Sequence, residues 1–295
     1  MSDIPVGQGH GIAGRYGGLP DEFFNFKEAK IVILPVAFDK TTTYQKGTHQ
    51  GPVALIEASR HLELYDIETD SEVYLKGICT LPILSPQDSE EMLQIVYKQT
   101  QDLLEQDKFV VTIGGEHSIS WAPIKAHSEK FTKLSVLQLD AHADLQEAYE
   151  GNPWSHASVM ARVSELPNID QIVSVGIRSL SREEQGHLSR VTPFFCHTLF
   201  DSDAWMQSVV DCLTENVYIT LDLDVFDSGL MPSTGTPEPG GLNWPQVTKL
   251  LKKVIQTKCL VGFDVVELCP NPYNLSPDFL AAKLVYKLLS YKFEI

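Results

Sequence analysis

Two carboxylates and an imidazole lie two residues apart in the segment Asp140-Ala141-His142-Ala143-Asp144. The segment ends an apolar run of strand length, and period-two spacing would direct these three side chains to the same side. Carboxylates this close repel each other unless a proton or a cation lies between them, and a neighbouring imidazole favours a divalent first-row metal ion as that cation. The segment therefore predicts half of a metal site.

Two further apolar runs end in residues of the same kind. Val217–Leu221 leads to Asp222 and Asp224, and Phe109–Ile113 leads through two glycines to His117. In open α/β sheets, ligands bind just outside the carboxyl ends of the strands, which is where all three segments would lie. The predicted metal ligands are His117, Asp140, His142, Asp144, Asp222 and Asp224.

These six side chains exceed what one ion normally takes from a protein, and they include four carboxylates and no cysteine. Two divalent ions that share bridging carboxylates would use the whole set, and the formal charges would balance. Oxygen donors with two imidazoles favour manganese, although nickel, cobalt, iron and zinc are compatible with the same ligand types. We therefore predict two Mn²⁺ ions, between which a shared water would lose a proton near neutral pH.

The segments that must position these residues alternate between strand and helix patterns. Continuous Val/Ile/Leu runs, typical of a parallel sheet covered on both faces, predict strands at Lys30–Phe38, Phe109–Ile113, Ser135–Asp140, Gln171–Ile177, Val217–Asp224 and Leu260–Glu267. Helical periodicity predicts helices at Ser89–Gln106, Ala157–Leu166, Ala204–Thr214, Trp244–Gln256 and Pro277–Tyr291. The expected fold class is α/β, a three-layer α/β/α sandwich with a mostly parallel central sheet.

The composition indicates one globular unit. The 295 residues are 43% hydrophobic and 21% charged, and no linker or composition break divides them, so we expect a single domain over residues 1–295. Residues 1–29 would form a glycine-rich N-terminal arm. Within it, Gly9–Gly14 spells G-x-G-x-x-G, but no strand-like run precedes this pattern, so it does not predict a dinucleotide site.

The net charge of the chain restricts the classes of molecule that it can bind. A net charge of −16 argues against nucleic acid, whose binding requires a positive surface, and it modestly favours a small cationic substrate. No run of about 20 apolar residues predicts a membrane span, and the N-terminus does not resemble a signal peptide. We therefore expect a cytoplasmic protein that contacts neither membrane nor nucleic acid.

The motifs together resemble those of a known family. Gly114–Ser118, Asp140–Asp144 and Asp222–Asp227, supported by Lys46–Pro52 and Phe263–Glu267, occur in the order and spacing of the ureohydrolases, which include arginases and agmatinases. The resemblance extends from about Lys30 to the C-terminus. It implies an arginase-like fold and a binuclear manganese hydrolase that splits a guanidinium group into urea and an amine.

The resemblance also implies roles by position. His117, Asp140, Asp144 and Asp222 would hold one ion, and His142, Asp140, Asp222 and Asp224 the other. Asp144 would also orient the hydroxide that attacks the guanidinium carbon. The chemistry requires an anion for the guanidinium and a proton donor for the leaving amine; Glu267 and His156 meet these needs, the histidine because its ordinary pKa is near neutrality. The predicted catalytic residues are therefore Asp144, His156 and Glu267.

The loop at residues 144–158 resembles the agmatinase version and predicts agmatine, split into putrescine and urea, as the substrate. Gln146 stands where arginases carry an Asn that helps to anchor a carboxylate, and Glu147, Tyr149 and Glu150 would add negative charge. Many agmatinase-like sequences have Arg at the position of Gln146. This difference leaves guanidinobutyrate, arginine and free guanidine as alternative substrates.

Two other classes of function are compatible with the motifs. A catalytically silent relative would bind metal in a regulatory or scaffold role, and a zinc-dependent deacylase of related architecture would use one ion. The complete ligand set, with His156 and Glu267, favours the hydrolase. The family resemblance further implies a homo-oligomer, a trimer or hexamer.

Overall fold

The apolar runs of the sequence form a parallel sheet in the computed structural model, which describes residues 13–295. Every strand pairing in this sheet is parallel, and most of the strands are buried on both faces. Its eight strands are β1 (Ile31–Pro35), β2 (Ile78–Thr80), β3 (Phe109–Ile113), β4 (Leu134–Leu139), β5 (Ile169–Ile177), β6 (Thr192–Phe195), β7 (Asn216–Asp222) and β8 (Cys259–Val266).

The order of the strands explains how distant motifs meet. It runs β2-β1-β3-β8-β7-β4-β5-β6, so the four central strands are β3, β8, β7 and β4. Their carboxyl ends lie side by side and deliver, in that order, the segments that contain His117, Glu267, Asp222 and Asp140. Residues that are about 150 positions apart in the chain are thereby neighbours at one edge of the sheet.

Helices cover both faces of the sheet. They are α1 (Asp21–Phe24), α2 (Gly51–Ser59), α3 (Ser89–Glu105), α4 (Trp121–Lys130), α5 (Val159–Val163), α6 (Arg182–His187), α7 (Trp205–Cys212), α8 (Trp244–Thr257) and α9 (Ser276–Glu294). One apolar core lies between the sheet and α2, α7, α8 and α9, and two smaller cores lie under α3, α4 and α5 on the other face. The predicted three-layer α/β/α fold class is confirmed.

The strand predictions were correct in position but too long at five ends, at two of which, Lys30 and Asp140, the error is a single residue. The predicted strand Lys30–Phe38 stops at Pro35, and Val217–Asp224 stops at Asp222 because a 3₁₀ turn follows. Glu267 lies outside β8 because its φ is +68°, which is incompatible with a strand. The edge strands β2 and β6 were missed because they are only three and four residues long.

The first residues that the structure describes pack against the sheet and its helices. Tyr16 is buried, and its hydroxyl donates to the Ala282 carbonyl in α9 at 2.7 Å. Most of the Gly9–Gly14 pattern, and residues 1–12 of the predicted N-terminal arm, lie outside the described part of the chain. Within residues 13–295, no helix combines the length and the apolar character that crossing a membrane requires.

Candidate functional site

The segment after β4 is fixed by hydrogen bonds within itself. Asp140 Oδ1 accepts from the backbone N–H of His142 at 2.6 Å, and Asp140 Oδ2 accepts from the Gln138 side-chain amide at 2.9 Å. Gln138 also donates to the His142 carbonyl and accepts from the Ser174 hydroxyl. The buried amide of Gln138 therefore fixes the orientation of the Asp140 carboxylate and the conformation of the turn that carries His142.

The two aspartates after β7 are held in a similar way. Asp222 Oδ1 accepts from the backbone N–H of Asp224 at 2.8 Å, and Asp224 Oδ1 accepts from the backbone N–H of Ala141 at 2.9 Å. The second bond ties the end of β7 to the end of β4. In both carboxylates the other oxygen, Oδ2, faces a histidine.

His117, after β3, points its Nδ1 at three carboxylates. The atom lies 2.9 Å from Asp144 Oδ2, 3.0 Å from Asp140 Oδ2 and 3.4 Å from Asp222 Oδ2, yet it is buried without a properly directed hydrogen bond. On the other side of the ring, Nε2 lies 2.9 Å from the Thr220 hydroxyl. A buried nitrogen surrounded by carboxylate oxygens in this way is placed to bind a cation.

The Thr220 hydroxyl determines which ring nitrogen of His117 carries the proton. It donates to Asp264 Oδ1 at 2.7 Å, so its oxygen can only accept from His117, and a neutral His117 ring therefore carries its proton on Nε2. Nδ1 is then the free ligand atom. Such a partner behind a ligating histidine is usual in metal sites. Asp264 thus orients His117 through the Thr220 hydroxyl. Asp227 instead accepts hydrogen bonds from the backbone N–H groups of Gly229, Gly240 and Gly241.

His142 forms a second group beside the first. Its Nδ1 lies 2.9 Å from Asp224 Oδ2 and 3.6 Å from Asp140 Oδ1. The candidate ligand atoms of Asp140, His142 and Asp224 lie within 4.8 Å of one another, as do those of His117, Asp140 and Asp144. Asp140 belongs to both groups. The donor set therefore fits two divalent ions with a shared carboxylate, and the structure brings all six predicted ligands together.

Burial without counter-ions perturbs the ionisation of these side chains. Burial, together with the charge of Asp140, raises the pKa of Asp144 to about 7. Burial and the charges of Asp224 and Asp140 raise the pKa of Asp222 well above its ordinary value. Burial alone would lower the pKa of His117, but the surrounding carboxylates raise it far above its ordinary value. The site therefore has a strong affinity for positive charge.

Two of the site residues have backbone conformations that side chains rarely adopt. Asp144 has a φ of +54° and Glu267 a φ of +68°. Such conformations cost about 1–3 kcal/mol each and persist where neighbouring contacts impose them. Here the Glu267 N–H donates to the Gly115 carbonyl and the Asp144 carbonyl accepts from Ala161 N–H. The fold therefore accepts strain at two positions whose side chains line the cleft.

Glu267 lies at the edge of the cluster and lines the cleft. Its Oε1 accepts from the backbone N–H of His117 at 2.6 Å, while a Cβ at Gly235 would lie 3.2 Å from its Oε2. Burial, reinforced by the charge of Glu116, raises the pKa of Glu267 well above its ordinary value. A cationic ligand in the cleft would relieve this desolvation by pairing with the carboxylate.

His156 also lines the cleft, at the start of a 3₁₀ turn that leads into α5. Its ring packs edge-on against Tyr149 with centroids 5.5 Å apart, and its Nδ1 lies 3.1 Å from the Thr41 hydroxyl. Burial, together with the nearby His142 and His117, lowers the pKa of His156 to about 4, below the near-neutral value used in the sequence argument. The imidazole is therefore neutral at pH 7.

The cleft is acidic and polar. Its volume is about 240 Å³, and none of the described residues that line it is a lysine or an arginine. Gln146 and Tyr149 line it as expected, as do Gly235 and Thr236 of the loop after β7. Glu147 does not line the cleft, because its carboxylate oxygens pair with the guanidinium nitrogens of Arg162 at 2.6 Å and Arg190 at 2.5 Å.

Several residues of the site were missed by the sequence argument. Glu184 lines the cleft, where its carboxylate accepts from the backbone N–H groups of Leu145 and Ser181. Glu116 is buried beside His117 and binds Thr41. The position of Glu116 next to a predicted ligand was a signal that could have been used. Glu184 belongs to the capping-box pattern Ser181-x-x-Glu184, which indicates the start of a helix and not a site, and Thr41 belongs to no recognisable pattern.

Comparison with known proteins agrees with this geometry. Residues 29–290 match the model of the Arginase family. The chain is 36% identical over 283 residues to an N(1)-aminopropylagmatine ureohydrolase of Synechocystis sp., with 90% of each protein covered. It is 32% identical over 269 residues to an agmatinase of Pyrococcus horikoshii, which covers 90% of this chain and 93% of that protein.

The fold comparison gives the same result. The chain superposes on the crystal structure of the agmatine ureohydrolase of Thermoplasma volcanium with a TM-score of 0.85 and 29% sequence identity, and 93% of each chain is covered. The resemblance that the sequence motifs indicated is confirmed. Because the family match spans nearly the whole chain and the strand ends gather the His and Asp side chains of its motifs, this chain belongs to the arginase family.

Proposed function

We propose that this chain hydrolyses the guanidinium group of agmatine to urea and putrescine with two Mn²⁺ ions. The observation that carries the proposal is the pair of overlapping ligand groups next to the buried Glu267 carboxylate, in a cleft lined by no lysine or arginine among the described residues. The agmatinase and aminopropylagmatine ureohydrolase relatives support the reaction class.

The proposed ligand sets share two carboxylates. His117, Asp140, Asp144 and Asp222 would hold one ion, and His142, Asp140, Asp222 and Asp224 the other. Two bound divalent ions would supply a water nucleophile that is deprotonated near neutral pH. Manganese is proposed because oxygen donors predominate, with nickel, cobalt, iron and zinc as the alternatives to compare.

The protein side chains would orient the reactants. Glu267 would accept two N–H bonds from the planar guanidinium and hold its carbon over the cluster, which requires the carboxylate to be ionised in the complex. Asp144 would accept a hydrogen bond that orients the attacking water. As the C–N bond breaks, the electron pair stays on the amine nitrogen, and His156, after accepting a proton from the added water, would donate that proton to it.

The charge of the cleft supports a substrate whose far end is an amine. The carboxylates of arginine and guanidinobutyrate would meet no cationic side chain there, because none of the described residues that line the cleft is a lysine or an arginine. Glu184, which is 4% exposed, adds a carboxylate to the cleft lining. An isolated carboxylate group would therefore be disfavoured there by like charge.

N(1)-aminopropylagmatine is a second candidate substrate, because three curated relatives at 36% identity carry that name. It presents the same guanidinium and a longer cationic chain. Measuring kcat/KM for urea release with agmatine, N(1)-aminopropylagmatine, arginine, guanidinobutyrate and guanidine separates these possibilities. We expect the two amines to exceed both carboxylates by at least about tenfold, the effect of roughly 1.4 kcal/mol.

Other results of these substrate and metal comparisons would change the proposal. Preference for a carboxylate substrate would overturn the electrostatic argument but keep the reaction. No urea with any substrate and any of the five metals would overturn the hydrolase and favour the silent relative or the deacylase. The trimer or hexamer, measurable by light scattering, and the cytoplasmic location stay predictions.

A further inference from the structure

His156 has a partner that lies 115 residues away in the chain. The Thr41 hydroxyl oxygen is 3.1 Å from His156 Nδ1 and accepts from the His156 backbone N–H at 3.0 Å. Thr41 lies in the loop after β1, whose next residues, Thr42 and Thr43, line the cleft. One side-chain oxygen therefore contacts both the ring and the backbone of His156.

Thr41 is in turn held by Glu116. Its hydroxyl donates to Glu116 Oε1 at 2.6 Å and its backbone N–H donates to Glu116 Oε2 at 2.7 Å. The Ser118 hydroxyl donates to the same Oε1 at 2.6 Å, and Glu116 is completely buried. Three donors thus converge on the two oxygens, which is the arrangement that a carboxylate acceptor requires.

The direction of these bonds determines the state of the imidazole. A threonine hydroxyl has one hydrogen, and here it is donated to Glu116, so the oxygen can only accept from His156. We infer that Glu116 and Thr41 are positioning residues that hold neutral His156 with its proton on Nδ1 and leave Nε2 as the proton-accepting atom available to the cleft. The side chain is then both oriented and limited to one tautomer.

The catalytic consequence rests on the proposed function. His156 would take up at Nε2 the proton that the added water oxygen loses as urea forms, and the resulting imidazolium would pass that proton to the leaving amine nitrogen as the C–N bond breaks. The ring ends as the tautomer with which it began, so each turnover starts from the same hydrogen-bonded state. A ring with the opposite tautomer would present an N–H to the cleft and could not accept the proton there.

Kinetics of Thr41 variants test the positioning role. Thr41→Val removes the hydroxyl at nearly constant volume, and we expect kcat for the preferred guanidino substrate to fall about 10- to 100-fold with KM changed less than about threefold. Thr41→Ser keeps the hydroxyl and should restore most of kcat. The control is Thr100→Val, because Thr100 is a fully buried threonine far from the cleft whose hydroxyl donates to the Val96 carbonyl in α3. Equal kcat in Thr41→Val and Thr100→Val would overturn the inference.

A spectroscopic test does not depend on turnover. In protein labelled with ¹⁵N-histidine and loaded with diamagnetic Zn²⁺, long-range ¹H–¹⁵N spectra should show a protonated Nδ1 and an unprotonated Nε2 for His156, assigned by His156→Asn. Glu116→Gln should shift the ring toward Nε2–H, because the amide would donate to Thr41 and free its hydroxyl to donate to Nδ1. Nε2–H in the unaltered protein, or no change in Glu116→Gln, would overturn the inference even if urea is formed; the expected spectra without urea would instead overturn only the proposed function.

Discussion

At the scale of single residues, Glu267 is a buried carboxylate that pairs with no lysine or arginine among the described residues. It accepts from His117 N–H, it is 7% exposed, and no described lysine or arginine lines its cleft. Its backbone has a left-handed conformation, which costs free energy. A purely structural glutamate at a strand end would not require this conformation. These observations make it the proposed guanidinium partner.

Glu267→Gln tests this role. The amide keeps the size and one acceptor but loses the charge, so we expect kcat/KM for agmatine to fall about 10- to 100-fold, since a hydrogen bond to a charged group contributes about 1.5–3 kcal/mol. Metal content, measured by elemental analysis, should be unchanged. Exposed Glu165 provides the control variant Glu165→Gln. If both variants hydrolyse agmatine equally well, Glu267 does not bind the guanidinium.

His156→Asn tests the proton donor. General acid–base catalysis contributes about 10²–10⁴-fold, so kcat should fall within that range while the dissociation constants of the metal ions change little. The control is His197→Asn, because His197 is exposed and only stacks on Phe195. Steady-state kinetics with calorimetric metal titration separates the two effects. A kcat within twofold of the unaltered enzyme would exclude His156 as the donor.

The residues that the sequence could indicate are those that directly follow an apolar strand. Asp140, His142 and Asp144 repeat every second position at a strand end, and Asp222 and Asp224 do the same, so their type and period are visible. Thr41 shows no such period, because it contacts His156 across 115 positions of the chain. Its role depends on how the loop after β1 folds, which no local pattern encodes.

At the scale of elements, Arg178 after β5 connects the segments that form one wall of the cleft. Its guanidinium donates to the carbonyls of Asp224, Phe226, Glu238 and Pro239 at 2.6–3.2 Å, and to that of Gly176 at 3.2 Å. A planar group with five donors suits several carbonyls at once. Arg178 therefore fixes the loop between Asp224 and Gly241 against the sheet.

Arg178→Met should release this loop. We expect faster amide hydrogen exchange in residues 227–241 and a destabilisation of about 1–3 kcal/mol, because carbonyls that the arginine satisfied lose their donor. Hydrogen exchange followed by mass spectrometry, together with urea denaturation, measures both effects. Arg182→Met is the control, since Arg182 is exposed at the start of α6. Unchanged exchange in residues 227–241 would show that the loop is held by other contacts.

The elements themselves were predictable where the apolar runs are long. β3 was predicted with both ends correct, and α3 with an error of one residue, because its apolar period is regular and Asp88 caps its first turn. The edge strand β6 begins Thr192-Pro193, and because proline has no N–H to donate to a neighbouring strand, its sequence did not indicate a strand. Short edge strands depend on the sheet that they join.

At the scale of the whole molecule, the ionisation of the proposed metal ligands makes the stability of the fold depend on pH and on metal binding. Burial raises the pKa of Asp144 to about 7, and a carboxyl with a raised folded-state pKa stabilises the fold only in its protonated form. That contribution is complete below its unfolded value of 3.8 and is lost as the pH rises through about 7. Asp222 and His117, whose pKa values are also raised, act in the same direction.

The metal-free protein should therefore melt at a lower temperature as the pH rises from about 6.5 to 8, above the range in which the lowered pKa of His156 acts in the opposite direction. Divalent ions require deprotonated ligands, so they should bind more tightly over the same interval and offset this loss. Differential scanning calorimetry of metal-free and Mn²⁺-loaded protein should find a difference in Tm that grows with pH. Asp140→Asn removes the shared carboxylate and should abolish most of the difference. A Tm difference that shrinks as the pH rises would contradict the proposed ligand set.

The number of active metal ions tests the central claim most directly. Urea release from agmatine should be measured while Mn²⁺ is added to the metal-free protein in known equivalents per chain. A binuclear hydrolase predicts that the rate increases up to two equivalents per chain and then stays constant. A rate that is already maximal at one equivalent, or no urea at any loading, would contradict the proposed binuclear hydrolysis of agmatine.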